Sequence, residues 1–193
     1  MYTSVEIQDE LMSGEEVLWQ GQPDPSVIFT NQDWFLVPFS IFWAGFAFVW
    51  EGAALLSFFT QENKDFNLAV FPLFGVPFVV VGFYILFGRF IMKRIIKSKT
   101  FYFVTNKRVI ILKKLFGRSI VSSSIDTIPT ISKTIRNDGI GTLTFGNINM
   151  MTSMYDNTGM DFFSGFNQGN VPRFFDVSKA NEVYQLVQNT KNK

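Results

Sequence analysis

The chain has 193 residues, with a formal net charge of +1, no His and no Cys. Those absences remove the commonest general base, every thiolate nucleophile, zinc sites of the usual Cys/His kind and any disulfide framework. Near-neutral charge argues against nucleic acid as a partner, while 47% hydrophobic residues, 24 Phe and a mean hydropathy of +0.17 lean towards a membrane protein carrying a soluble part.

The N-terminal arm, residues 1–32, is acidic. Glu6, Asp9, Glu10, Glu15, Glu16 and Asp24 lie in it, Asp33 follows, and no Lys or Arg occurs before Lys64. A secretory signal needs a basic start ahead of its apolar run, so no cleaved signal is expected. Within the arm, Val17 and Trp19 alternate with polar Glu16 and Gln20, which favours a strand. An amphipathic arm on a membrane surface is the alternative.

Residues 33–90 read as a transmembrane helical hairpin. Trp34 to Trp50 is an uncharged run that stays apolar to Phe59 apart from Glu51, and Phe66 to Gly88 is a second uncharged run. A bilayer core needs about 20 apolar residues as helix, and both qualify. The short link Thr60 to Asp65 makes the two helices antiparallel. Glu51 falls either at the far headgroups or, in a longer tilted helix, at a buried and functional position. Pro77 is expected to kink the second helix.

Residues 91–99 form a basic linker. Arg89, Lys93, Arg94, Lys97 and Lys99 crowd the end of the second span against a lone Lys64 in the link. By the bias of basic residues to the inner side, both termini face the cytoplasm of a multi-pass inner-membrane protein.

After Lys99 the period changes to two. TFYFVT and RVIILKK join at Asn106-Lys107 as a tight hairpin, RSIVSSSI gives a third strand, and Asp126 to Pro129 reads as a loop or single helical turn. TISKTIR and TLTF flank the turn NDGIG and put Ile131 and Ile135, then Leu143 and Phe145, on one face each. At the C-terminus Ala180, Val183, Tyr184 and Val187 recur at helical spacing, with Ser178 as N-cap. The fold class expected is therefore α+β: a two-helix membrane hairpin plus a small antiparallel barrel or sandwich capped by a C-terminal helix.

Leu11, Gly14, Glu15, Val17, Leu18, Trp19, Gly21 and Pro23, then Tyr102, Thr105, Asn106 and Arg108, then Gly139, Gly141, Phe145 and Gly146 stand in order around the hairpin. In these motifs, and in the terminal FFDVSKANEVYQLV, the chain resembles the membrane-anchored bacterial pleckstrin-homology family. The resemblance covers nearly the whole chain. It implies a curved antiparallel barrel over 100–193 plugged by the last helix, to which the arm could add a strand. It implies self-assembly or interaction rather than catalysis.

Two stretches are candidate sites. Lys107, Arg108, Lys113, Lys114 and Arg118, with the linker cations Arg89, Lys93, Arg94, Lys97 and Lys99, could form a rim for anionic lipid headgroups. The alternative gives Thr105 and Arg108 to the turn and leaves the other charges to protect a sheet edge. The insert 147–173 carries Met150, Met151, Met154, Met160, Phe162, Phe163 and Phe166, adaptable contact residues that either meet a partner or extend the core. No phosphate loop, metal-ligand spacing or activated serine is visible, so neither enzyme activity nor a metal or other cofactor is expected. The expected partners are the bilayer and either further copies of the chain or a membrane-protein complex. A lipid-sensing domain and a small transport subunit are the alternative functions.

Overall fold

The computed structural model describes residues 7–61, 66–148, 156–160 and 171–192, with side chains described from residue 70 in the second helix. The chain divides into two compact units, one holding Ile28–Lys93 with Met154–Phe163 and the other the remainder.

The first unit is helical. Helix α1 spans Asp33–Thr60, and helix α2 spans Phe66–Phe83 and runs through a π-helical turn, Tyr84–Gly88, into α3, Arg89–Ser98. Helix α1 and the continuous run Val70–Ser98 are both long and apolar enough to cross a membrane. At 1.5 Å per residue α1 reaches about 42 Å, more than a hydrocarbon core requires. Apolar side chains point outwards over most of both helices: Trp34 is 88% exposed, Phe42 75% and Leu73 73%. Where α1 faces α2, the buried seam among the described residues is made largely of small residues. Ala44 and Ala47 are buried, and a Cβ added to Gly82 would stand 3.3 Å from the Cα of Ala44. Close backbone approach over small residues is how helices associate where the surroundings are as apolar as their side chains. Ala44 lies beside Gly82 and Glu51 beside Gly75, so the helices run antiparallel. Pro38, Pro72 and Pro77 all lie inside helix.

The second unit is built on two antiparallel sheets. Strands β1 (Val17–Gly21), β2 (Thr100–Thr105), β3 (Arg108–Lys113) and β4 (Ser119–Ser124) form one in the order β1-β2-β3-β4. Strands β5 (Ile131–Ile135), β6 (Gly141–Phe145) and β7 (Arg173–Val177) form the other. The arm thus supplies β1, paired with β2 from Val17 opposite Thr105 to Gly21 opposite Tyr102. One isolated bridge, Pro23 to Val177, joins the sheets. Among the described residues they do not close into the barrel that the sequence suggested. β4 and β5 each have one neighbour, separated by a short 3-10 turn, Ile125–Thr127, and by Pro129, which has no N–H to offer a ladder.

The core of this unit gathers Tyr102, Val104, Val109, Ile125, Leu143, Phe145 and Phe174 with Val183 and Val187 of the last helix, α4 (Ala180–Lys191). Tyr102 stacks on Phe174 at 4.5 Å, and its hydroxyl accepts a hydrogen bond from the Phe175 N–H at 3.0 Å. Ser178 is not the cap of α4. Lys179 occupies that position in the left-handed region, at φ 57°, and no side chain caps the helix. Ile131 is buried, but Ile135 is 37% exposed at the sheet edge.

Candidate functional site

Of the ten cations of the candidate rim, Arg89, Lys93 and Lys97 are buried. At the β2–β3 turn the cations are tied to the arm. Glu15 Oε1 accepts from Arg108 Nε at 2.9 Å and from the Thr105 hydroxyl at 2.7 Å, while its Oε2 accepts from Arg108 Nη2 at 3.1 Å and the Met12 N–H at 2.8 Å. Such a two-pronged arginine–carboxylate pair is strong and fixes geometry. Arg108 Nη2 also donates to the Glu10 carbonyl at 2.5 Å, and Lys107 Nζ to the Ser13 carbonyl at 2.8 Å. Asn106 completes the lock: its Oδ1 accepts from the Glu16 N–H at 3.0 Å, and its Nδ2 donates to the Gly14 carbonyl at 3.1 Å. Gly14 adopts φ +68°, which a side chain would resist. Burial pushes the Glu15 carboxyl up, but the hydrogen bonds from Arg108, the Met12 N–H and Thr105 outweigh it and hold the group below its ordinary value of 4.5. The motif residues Gly14, Glu15, Thr105, Asn106 and Arg108, far apart in sequence, thus meet in one place.

Along α3 the helical period decides. Arg89, Lys93 and Lys97 lie four residues apart on one face, and all three are buried. Arg89 Nη1 pairs with Asp33, and its Nε donates to the Ile85 carbonyl at 2.8 Å. Lys93 Nζ donates to the Ile28 carbonyl at 2.6 Å and stands 3.3 Å from Asp33 Oδ2. Lys97 Nζ lies 2.6 Å from Asp176 Oδ2 and 2.5 Å from the Val27 carbonyl. Asp33 also accepts from the Thr30 N–H at 2.7 Å. The cations of this run that do face outwards are Arg94 and Lys99. Of the rest, Arg118 pairs with Glu10 at 3.2 Å, Lys114 lies over the Phe101 ring at 5.3 Å, and Lys113 is half-buried at the end of β3.

Two further features were less legible. Glu51 is half-buried in the helical unit, with its carboxylate against Gly75 and Oε2 buried without a hydrogen-bond partner among the described residues. Of the insert's candidate contact residues, Met150, Met151, Met154, Phe162, Phe163 and Phe166 lie outside the described residues. Met160 is described. It follows a buried turn, Asp156 to Gly159, whose Gly159 carbonyl accepts from the Tyr84 hydroxyl at 2.5 Å, and it lines a cavity of about 370 Å³ with Phe35, Phe39, Ile85 and Arg89. Among the described residues no cluster of acidic side chains could hold a metal ion. Scans against protein-family models, curated proteins and solved structures each gave no match.

Proposed function

We propose that the chain is a membrane-anchored interaction or assembly module: α1 and the run from α2 into α3 cross the inner membrane as a hairpin, and both termini face the cytoplasm. In this reading the sheet unit is a pleckstrin-homology-like domain without catalytic function, working as an oligomer or in a membrane-protein complex. The observation that carries it over lipid sensing is the fate of the rim cations. Arg108 and Lys107 are spent on the arm and Lys93 and Lys97 on internal partners, so few remain to grip a headgroup at the sheet unit. Four strands, then three, then a packed C-terminal helix support the domain assignment, and the open edges of β4 and β5 suit strand addition by a partner.

Native mass spectrometry of the full-length chain extracted in detergent tests the reading. Two or more copies, or a stable complex with a membrane protein, are expected. A monomer with no protein partner would remove it. A second reading, a small transport subunit, has one observation in its favour, the Glu51 Oε2 between apolar helices, buried without a hydrogen-bond partner among the described residues. It predicts that Glu51→Gln alters ion or proton flux, and unchanged flux would discard it.

A further inference from the structure

The cavity beside Arg89 has the character of a ligand site rather than a packing gap. Its volume, about 370 Å³, is near the lower end of the range for small-molecule pockets, and its walls are mostly apolar, with Phe35, Leu36 and Phe39 of α1 facing Ile85. Into this apolar setting comes a guanidinium. Arg89 is only 1% exposed, Nε and Nη1 are engaged by Ile85 and Asp33, and the group stacks over Phe90 at 4.1 Å from the ring centre. Nη2, with two of the five N–H donors of the side chain, is buried with no hydrogen-bond partner among the described residues. Such a donor on a charged group is costly to leave unpaired. Water fits less well: besides Arg89 the described lining offers Gln32 and Ser40 as polar side chains, and the Ser40 hydroxyl already donates to the Leu36 carbonyl at 2.5 Å. The missing partner should therefore bring an acceptor for Nη2 and an apolar body for the walls.

Charge narrows the choice. A guanidinium binds anionic oxygens best, and phosphate matches its fork. Location narrows it further, given the membrane reading above, on which this inference rests. The cavity lies at the Asp33 end of α1, the end that also carries the exposed Trp34, and in that reading this is where headgroups meet acyl chains. We propose that it seats one anionic glycerophospholipid of the cytoplasmic leaflet. A phosphate oxygen accepts from Arg89 Nη2, one acyl chain lies along Phe35, Leu36 and Phe39, and the second chain stays in the bilayer. The site is separate from the turn cations, which the arm has already claimed.

The test uses the full-length chain in nanodiscs of equal parts phosphatidylcholine and phosphatidylglycerol, released into native mass spectrometry. Wild type is expected to keep one phosphatidylglycerol per chain in preference to phosphatidylcholine. Ser40→Phe fills the cavity without touching Asp33 or Arg89 and should abolish retention with unchanged circular dichroism. Leu36→Trp fills it from another position and serves if the first variant misfolds. Arg89→Lys keeps the charge, removes Nη2 and should lose the headgroup preference. Retention of the two lipids in bulk proportion, or retention unaffected by filling the cavity, would overturn the proposal. So would displacement of the lipid by added oleate, which would give the site to a free fatty acid. A chain that never enters the discs overturns the membrane reading as well, and that failure is visible before any lipid is counted.

Discussion

Arg108 and Arg89 make the same kind of contact with different completeness. Each reaches across the sequence to an acidic residue near the N-terminus, Arg108 to Glu15 and Arg89 to Asp33. Around Glu15 both carboxylate oxygens and the facing guanidinium nitrogens are engaged, and backbone groups from the arm complete the set. Around Arg89 one nitrogen has no hydrogen-bond partner among the described residues, and Arg89 lines a cavity. A satisfied buried ion pair fixes how two segments meet; one left short of a partner among the described residues calls for a physical explanation. The two arginines, alike in the sequence, therefore have different work.

The largest effect is expected from breaking the buried pair. Arg89→Ala removes one of the two cations that hold the buried Asp33 carboxylate, leaving Lys93 at 3.3 Å, and thermal unfolding of the detergent-solubilised chain should show a loss of about 3 kcal/mol, the lower end of the range for breaking a buried pair. A neutral change would mean that the pair is not buried as described. Glu15→Gln should cost about 1.5–3 kcal/mol, the range for a hydrogen bond to a charged group, and it also carries a pH signature. Because the folded carboxyl titrates below its unfolded value of 4.5, its contribution is complete above that pH and is lost as pH falls through the folded value. The Glu15→Gln variant should therefore show a shallower acid limb than wild type in a stability–pH series, and parallel limbs would contradict the lock. Gly14→Ala should cost about 1–2 kcal/mol by forcing a side chain into the left-handed region at φ +68°. Equal stability of the two proteins in denaturant would show that the arm can reach the turn without that conformation. Smallest is Arg94→Ala, on the exposed face of α3, which should stay within about 0.5 kcal/mol of wild type. A larger loss would show that Arg94, too, is structurally committed.

The apolar helices and most strands were legible because their signals are local. Long apolar runs with few charges and alternation bounded by Asn106-Lys107 and Asn137–Gly141 need no knowledge of distant residues. Strand β7 was missed because RFFDV follows the long insert and runs straight into the helical stripe of α4, leaving too short a stretch to display its own period. The burial of three rim cations was hidden for a different reason. The spacing of Arg89, Lys93 and Lys97 does place them on one face, but which way that face points depends on Asp33 and Asp176, dozens of residues away in either direction. Composition alone counts such cations as available. The lock at Glu15 had a signal in the sequence, since Gly14, Glu15, Thr105, Asn106 and Arg108 were all singled out, but their meeting in space was not part of it. The open sheets likewise turn on whether β4 and β5 pair, which strand patterns leave undetermined.

The absence of cysteine makes the central claim directly measurable, because a single introduced thiol has no competitor. Gln61→Cys, at the end of α1, and Ser122→Cys, on β4, can be probed in intact cells with a membrane-impermeant maleimide. The account predicts labelling at position 61 from outside and at position 122 only after the inner membrane is opened. Labelling of both positions in intact cells, or of position 122 alone, would contradict a hairpin that holds the sheet unit in the cytoplasm.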